Sequence, residues 1–140
     1  MDGVSAGASV LAFVGVALQS TKVIYQIVSG IGTASQQMKS LASAVRNLEV
    51  VLTQLSNCRA LADPNANIQE ITTLVEACKE DVLRYEKILK ELQTTSNSSK
   101  LVRKWKKMRT VLKEKDFERI WNEVTHHCTV LVFHLTLLQS

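Results

Sequence analysis

Histidine and cysteine are the side chains here whose chemistry best suits metal binding, and His126, His127, Cys128 and His134 fall within one short stretch. His127 and His134 are seven residues apart and could share one face of a helix. A structural zinc site needs four ligands in close geometry, which this spacing does not supply. We therefore expect surface or half-buried histidines beside a core cysteine, and no metal site.

No combination of residues predicts catalysis. The sequence contains no glycine-rich phosphate loop, no His-Glu-x-x-His and no nucleophile elbow. Cys58, Cys78 and Cys128 are widely spaced and odd in number, which is typical of buried, reduced thiols in an intracellular protein. We expect a non-enzymatic protein with no catalytic residues and no cofactor.

The most basic part of the chain surrounds a short apolar stripe. It holds eight cations within sixteen residues: Lys100, Arg103, Lys104, Lys106, Lys107, Arg109, Lys113 and Lys115. A basic amphipathic helix is the usual form of a segment that meets anionic lipid, where each cation contributes up to roughly 1 kcal/mol. The alternatives are a solvated face and a nucleic-acid site, and the latter lacks interleaved surface aromatic residues.

The N-terminal segment is unusual because no charged side chain occurs from Gly3 to Thr21. This uncharged run approaches the length that crosses a bilayer. Its larger apolar side chains cover most of the helix circumference, so the helix is either buried on most sides or enters lipid. We expect it to be the central or most buried member of the fold. Because it is N-terminal, it could swing out without unthreading the other helices, although filling the core would also explain its composition.

Helical periodicity extends through the rest of the chain. With one proline and five glycines, the sequence has few helix breakers. Apolar residues step by three and four, which predicts helices at about 4–31, 33–62 and 67–93, and amphipathic stretches at 101–112 and 117–138. The predicted apolar stripes run from Met38 to Leu55, from Ile71 to Leu92 and from Phe117 through Trp121 to Leu138. A bend at Glu114-Lys115-Asp116, with Asp116 as a cap, could split the last helical region in two. We predict one all-α domain, residues 1–140, folded as an up-and-down four-helix bundle.

The segment Met1–Ala12 resembles the start of many fungal STAND (NLR-like) proteins, whose N-terminal domains belong to the HeLo-like group. The helix containing Leu41, Leu48, Leu52 and Leu55, and the segment Arg103–Lys107, are similar to that group as well. The likeness covers essentially the whole chain. It implies a bundle related in architecture to the fungal HET-S HeLo domain and the MLKL bundle.

This resemblance also implies a function. Such domains precede a nucleotide-binding receptor portion, self-associate and move from the cytoplasm to the membrane to trigger regulated cell death in heterokaryon incompatibility and innate immunity. The implied membrane-engaging residues are Val10, Leu11, Phe13, Val14, Val16 and Leu18. The implied anionic-lipid-binding residues are Lys100, Arg103, Lys104, Lys106 and Lys107. The alternative is a non-lytic protein-interaction or autoinhibitory helical module of such a receptor, with nucleic acid an unexpected partner in either case.

Overall fold

The computed structural model describes residues 2–31, 36–63, 68–94 and 114–139. Four α-helices span these ranges: α1 Asp2–Ile31, α2 Gln36–Ser56, α3 Gln69–Thr94 and α4 Glu114–Gln139. A short 3₁₀ helix, Arg59–Ala62, follows α2. The described residues contain no strand. The prediction of an all-α helical bundle is confirmed.

The helices alternate in direction along the chain, but neighbours in sequence are not always neighbours in space. α1 packs mainly on α2 and α3, and α4 packs on α2 and α3, so the order around the core is α1, α2, α4, α3. In α1, Phe13 contacts Lys79 and Ser20 contacts Glu86, which means that α1 and α3 run in parallel. The 3₁₀ helix packs against α1 and α4.

One hydrophobic core joins all four helices. The predicted stripe of α2 is buried throughout: Met38, Leu41, Val45, Leu48, Leu52 and Leu55. The predicted stripe of α3 is buried as far as its side chains are described: Ile71, Val75, Cys78, Val82, Tyr85 and Leu89. Both stripes follow the three-and-four spacing that places side chains on one face of a helix, so these predictions are confirmed.

Several predicted boundaries are wrong by two to six residues. α2 ends at Ser56 and not near residue 62, because Cys58 has extended backbone angles and the chain continues into the 3₁₀ helix. α3 begins at Gln69. Asp116 lies inside the first turn of α4, which starts at Glu114, and is therefore not its cap. The predicted cap Thr33, the Pro64 break and the segment 95–113 lie outside the described residues.

Burial in α4 departs from the sequence prediction, and burial in α1 is uneven around the helix. The buried stripe of α4 is centred on Ile120, Val124 and Leu131, so Trp121, predicted for the core, is 39% exposed. In α1 one face is buried against α2 and α3, while the opposite face, including Val16, is open to solvent. Between Ala8 and Gln19 the residues of that face are mostly small or polar, so their exposure to water costs little although none of them is charged.

Truncating a fully buried side chain in α2 tests this packing. We expect Leu52→Ala to lower the free energy of unfolding by about 2–5 kcal/mol, because Leu52 is 0% exposed and its loss leaves a cavity. Val50→Ala on the same helix is the control, since Val50 is 46% exposed, and should change stability by less than about 0.5 kcal/mol. Urea denaturation followed by circular dichroism measures both, and equal losses would contradict the described packing.

Candidate functional site

The six side chains predicted to engage a membrane do not share one environment. Val10 and Val14 are 0% exposed and belong to the core. Leu11, Phe13 and Leu18 are half-buried and pack against that core from its edge. Val16 is 44% exposed. The structure therefore divides the predicted set between the inner face of α1 and its outer surface.

From Ala8 to Thr21 the outer surface of α1 carries no charge. Its exposed residues from Ala8 onward are Ala8, Ala12, Gly15, Val16 and Gln19, and the first exposed charged residue is Lys22. By length and composition, Ala8–Ser29 could cross a membrane. A core helix of a soluble protein or a signal sequence passes the same test, so this property alone assigns no function.

The inner face of α1 contains a buried hydroxyl that binds α3. Ser20 is 2% exposed, and its Oγ donates to a carboxylate oxygen of Glu86 at 2.6 Å. The same Oγ lies 3.1 Å from the backbone carbonyl oxygen of Val82. A buried hydroxyl must be hydrogen-bonded to avoid a desolvation cost, and here the acceptor comes from another helix. Release of α1 therefore requires breaking this bond.

The partner of Ser20 is itself held by a cation. Lys90 lies one turn further along α3, and its Nζ is 2.7 Å from the second carboxylate oxygen of Glu86. Burial by itself raises the pKa of Glu86, but the hydrogen bonds from Lys90 and Ser20 and the charge of Lys90 outweigh it and lower that pKa. The carboxylate is therefore ionised at neutral pH, in the form that accepts both bonds.

Two other contacts involve side chains of α1. The Nζ of Lys79 on α3 lies 4.4 Å from the centroid of the Phe13 ring, a distance at which a cation and an aromatic face attract. Thr21 is 0% exposed, and its hydroxyl donates at 2.6 Å to the Ala17 carbonyl within α1 itself. The first contact holds α1 to α3, whereas the second would persist if α1 left the bundle.

The five predicted anionic-lipid-binding residues cannot be placed relative to α1. Lys100, Arg103, Lys104, Lys106 and Lys107 all lie outside the described residues. The prediction that they contact anionic headgroups therefore stays a prediction.

The three histidines and the cysteine of the first prediction lie in different environments. His126 is exposed, His134 is half-buried near Glu70, and Cys128 is half-buried at the edge of the core. His127 is 7% exposed, so the expectation of a surface or half-buried histidine at this position is wrong. Among the described residues, no three histidine, cysteine or acidic side chains are grouped so that they could hold a metal ion.

His127 is buried because α3 supplies a partner for it. Its Nε2 donates to Asp81 at 2.7 Å. Asp81 also accepts from Arg84 at 3.1 Å, and Arg84 lies 3.4 Å from Glu123 on α4. This set of polar contacts joins α3 to α4, and its buried part explains how the core accommodates a histidine.

Two cysteines near His127 and Asp81 are poorly suited to nucleophilic chemistry. Burial raises the pKa of Cys78 to about 12, with smaller contributions from the neighbouring Cys128 and Asp81. Burial likewise raises the pKa of Cys128 to about 11. Both side chains are thus protonated thiols at neutral pH, whereas the reactive form of cysteine is the thiolate.

The polar contacts that hold α1 and α4 are absent from the sequence-based predictions. Ser20 could have been recognised, because it is a polar residue on the same side of α1 as Ala17 and Ile24. Its acceptor could not have been recognised, because Glu86 lies 66 residues away and has the sequence context of an ordinary solvent-exposed residue. Asp81 and His127, 46 residues apart, escaped for the same reason.

Removing the Ser20 hydroxyl should weaken the attachment of α1. We expect Ser20→Ala to lower the free energy of unfolding by about 1–2 kcal/mol, because a buried hydrogen bond to a charged group is lost. Ser29→Ala is the control, since Ser29 is exposed and donates only to Gln26 within α1. Thermal denaturation of both variants makes the comparison, and an equal effect would show that the bond to Glu86 contributes nothing.

The lowered pKa of Glu86 sets the pH dependence of its contribution. A carboxyl group whose pKa is lower in the folded state stabilises the fold above its ordinary pKa, and this stabilisation is lost as the pH falls. We expect Glu86→Gln to be less stable than the unmodified chain at pH 7, and the difference to shrink as the pH falls below about 4. Urea titrations at pH 7 and at a series of acidic pH values test this, and a constant difference would contradict it.

Comparison with known proteins identifies the family of the chain. The family model described as "Pigment biosynthesis cluster protein PigL N-terminal" matches residues 1–138. No curated protein and no solved structure matches the sequence. Because this match covers nearly the whole chain, the protein belongs to the family of PigL N-terminal domains.

Proposed function

We propose that this chain is a non-enzymatic effector domain that acts at membranes through α1. The observation that carries the proposal is the two-sided character of α1: its apolar inner face is packed in the core, and its outer face is uncharged from Ala8 to Gln19. A helix that is only a core element usually presents charged side chains to water on its outer face. Here, both faces of the helix between Ala8 and Gln19 are compatible with lipid.

The resting bundle keeps α1 out of the membrane. Five valine and isoleucine side chains of α1 are buried: Val10, Val14, Ile24, Ile27 and Val28. Exposing them to water would cost roughly 8–15 kcal/mol, an upper estimate from their transfer free energies. The hydrogen bond to Glu86 and the contact of Phe13 with Lys79 add to this barrier. Release therefore needs an activating event, such as clustering of several domains.

In a bilayer, lipid would replace most of the apolar contacts that α1 loses when it leaves the bundle. Its apolar inner face would again be surrounded by hydrocarbon, and backbone groups would stay hydrogen-bonded within the helix. Thr21 already donates to the Ala17 carbonyl, so it would enter lipid without an unpaired hydroxyl. Ser20 would lose Glu86 as its acceptor, but a serine in a helix can donate to its own backbone.

The family assignment supports the expected position of the domain, because its description names an N-terminal domain. We propose further that it belongs with the HeLo-like N-terminal domains of fungal NLR-like receptors and triggers regulated cell death. In this proposal, a nucleotide-binding portion in cis holds the domain in the cytoplasm, and activation drives self-association and transfer to an anionic membrane. The segment Lys100–Lys107 would contact the headgroups.

A protein-interaction module is the second candidate, and a specific observation favours it. Val10, Val14 and Ala17 are 0% exposed, and Ser20 is hydrogen-bonded across the helix interface. A helix held so completely could remain in the bundle permanently. The domain would then dock within its receptor or on a partner without contacting lipid.

One substitution on the outer face of α1 separates these functions. Val16 is exposed in the bundle, so Val16→Asp should leave the fold intact, but in a membrane it would place a carboxylate near the bilayer centre at a cost of about 2.5–3.5 kcal/mol. Val50→Asp is the matched control, because Val50 on α2 is equally exposed. We expect Val16→Asp, and not Val50→Asp, to reduce dye leakage from anionic liposomes at least about tenfold.

The experiment should also supply the clustering that a receptor would provide. A C-terminal histidine tag and nickel-chelating lipid would concentrate the chain on the liposome surface. A Lys104/Lys106/Lys107 charge-reversal variant would test the role of anionic lipid. Absence of leakage from tethered, unmodified protein, or identical leakage by Val16→Asp and Val50→Asp, would contradict insertion of α1 and favour the interaction module.

A further inference from the structure

A groove of about 400 Å³ runs between α2 and α4. α2 lines it with Lys39, Ser40, Ser43 and Asn47, and α4 contributes Trp121 and Thr125. None of its lining residues belongs to α1. Its volume lies within the range of about 300–1,000 Å³ that is typical of small-molecule sites. A molecule bound in this groove would contact α2 and α4 but not α1.

Hydroxyl groups in the groove differ in their hydrogen bonding from most others in the described helices. A serine or threonine in a helix commonly donates to a carbonyl three or four residues earlier, and eight residues do so here. They are Thr21, Ser29, Thr53, Ser56, Thr72, Thr73, Thr129 and Thr136. Ser40, Ser43 and Thr125 make no such bond, a property shared by Ser9 near the N-terminus.

The groove thus presents hydrogen-bonding groups that the described part of the protein leaves unused. Besides the three hydroxyls, the side-chain amide of Asn47 has no hydrogen-bond partner among the described residues. On α2 these groups are brought together by spacing, because Ser40, Ser43 and Asn47 are separated by three and four residues and lie on one face.

Two side chains indicate what kind of molecule would fit. Trp121 is 39% exposed at the groove and offers a flat aromatic surface for stacking. Lys39 is the only charged residue among the described lining residues, so the groove favours an anion over a cation. The Cys128 thiol, 3.9 Å from the Ala44 carbonyl, contributes a weakly polar part of the lining.

We propose that this groove binds a small planar aromatic molecule that carries an oxygen acid or hydroxyl group. The ring lies against Trp121, the oxygen atoms accept from Ser40, Ser43 and Thr125, and a carboxylate gains attraction from Lys39. A ligand bound here would contact α2 and α4 at once and so stabilise their packing.

The test uses 2-naphthoate and the neutral 2-naphthol as probes of the 140-residue chain. We expect 2-naphthoate to shift the indole N–H resonance of Trp121, assigned with Trp121→Phe, in a saturable way below about 1 mM probe. Ser43→Phe should fill the groove and weaken binding at least about tenfold. Thr53→Phe, on the exposed surface of α2 away from the groove, is the matched control and should bind as the unmodified chain does.

Charge and hydrogen bonding are tested separately. Lys39→Glu should weaken 2-naphthoate about threefold, the size expected of an exposed ion pair, and should leave 2-naphthol unchanged. Asn47→Ala removes a hydrogen-bonding group without adding bulk, so it gives a second reading if Ser43→Phe does not fold. Absence of a saturable shift, or equal weakening by Ser43→Phe and Thr53→Phe, would overturn the proposal.

Discussion

The absence of charged side chains between Gly3 and Thr21 is the constraint on which the rest of this structure depends. A helical segment without charges cannot form its own solvated surface in the usual way, so its apolar face must be covered by other helices. α2 and α3 provide that cover from either side. The charged residues that keep a bundle soluble are consequently carried by the other helices and by the basic segment 100–115.

Packing of apolar stripes alone would leave the setting of α1 poorly specified, because hydrophobic contact is not directional. The buried hydroxyl of Ser20 provides a directional contact, because it can donate a hydrogen bond to Glu86 only when α1 has the correct rotation and axial position. The pair formed by Asp81 and His127 does the same for α4. Both contacts involve α3, so α3 sets the rotation and axial position of the two helices that lie diagonally across the core.

The parts of the fold that sequence could predict are those encoded by local periodicity. The stripe from Met38 to Leu55 follows from three-and-four spacing, and the structure buries all of it. In α4 two adjacent faces are similarly apolar, so periodicity alone placed Trp121 in the core, where the structure leaves it 39% exposed. The face that is buried contains His127, and it can be buried because Asp81 of α3 provides a hydrogen-bond partner for that histidine. The order of helices around the core was equally beyond prediction, because heptad spacing does not determine which helices are neighbours.

The packing of α1 connects the two steps of the proposed mechanism, which are release of α1 and self-association. α1 covers side chains of α2 and α3 that include Leu48 and Val82, both nearly inaccessible in the bundle. If α1 left, this surface would be exposed to water, and burying it again would require lipid or another copy of the chain. Release and self-association would then be linked physically, because the surface opened by the first step drives the second. α2, α4 and α3 could stay packed meanwhile, since the contacts of α4 with α2 and α3 do not pass through α1.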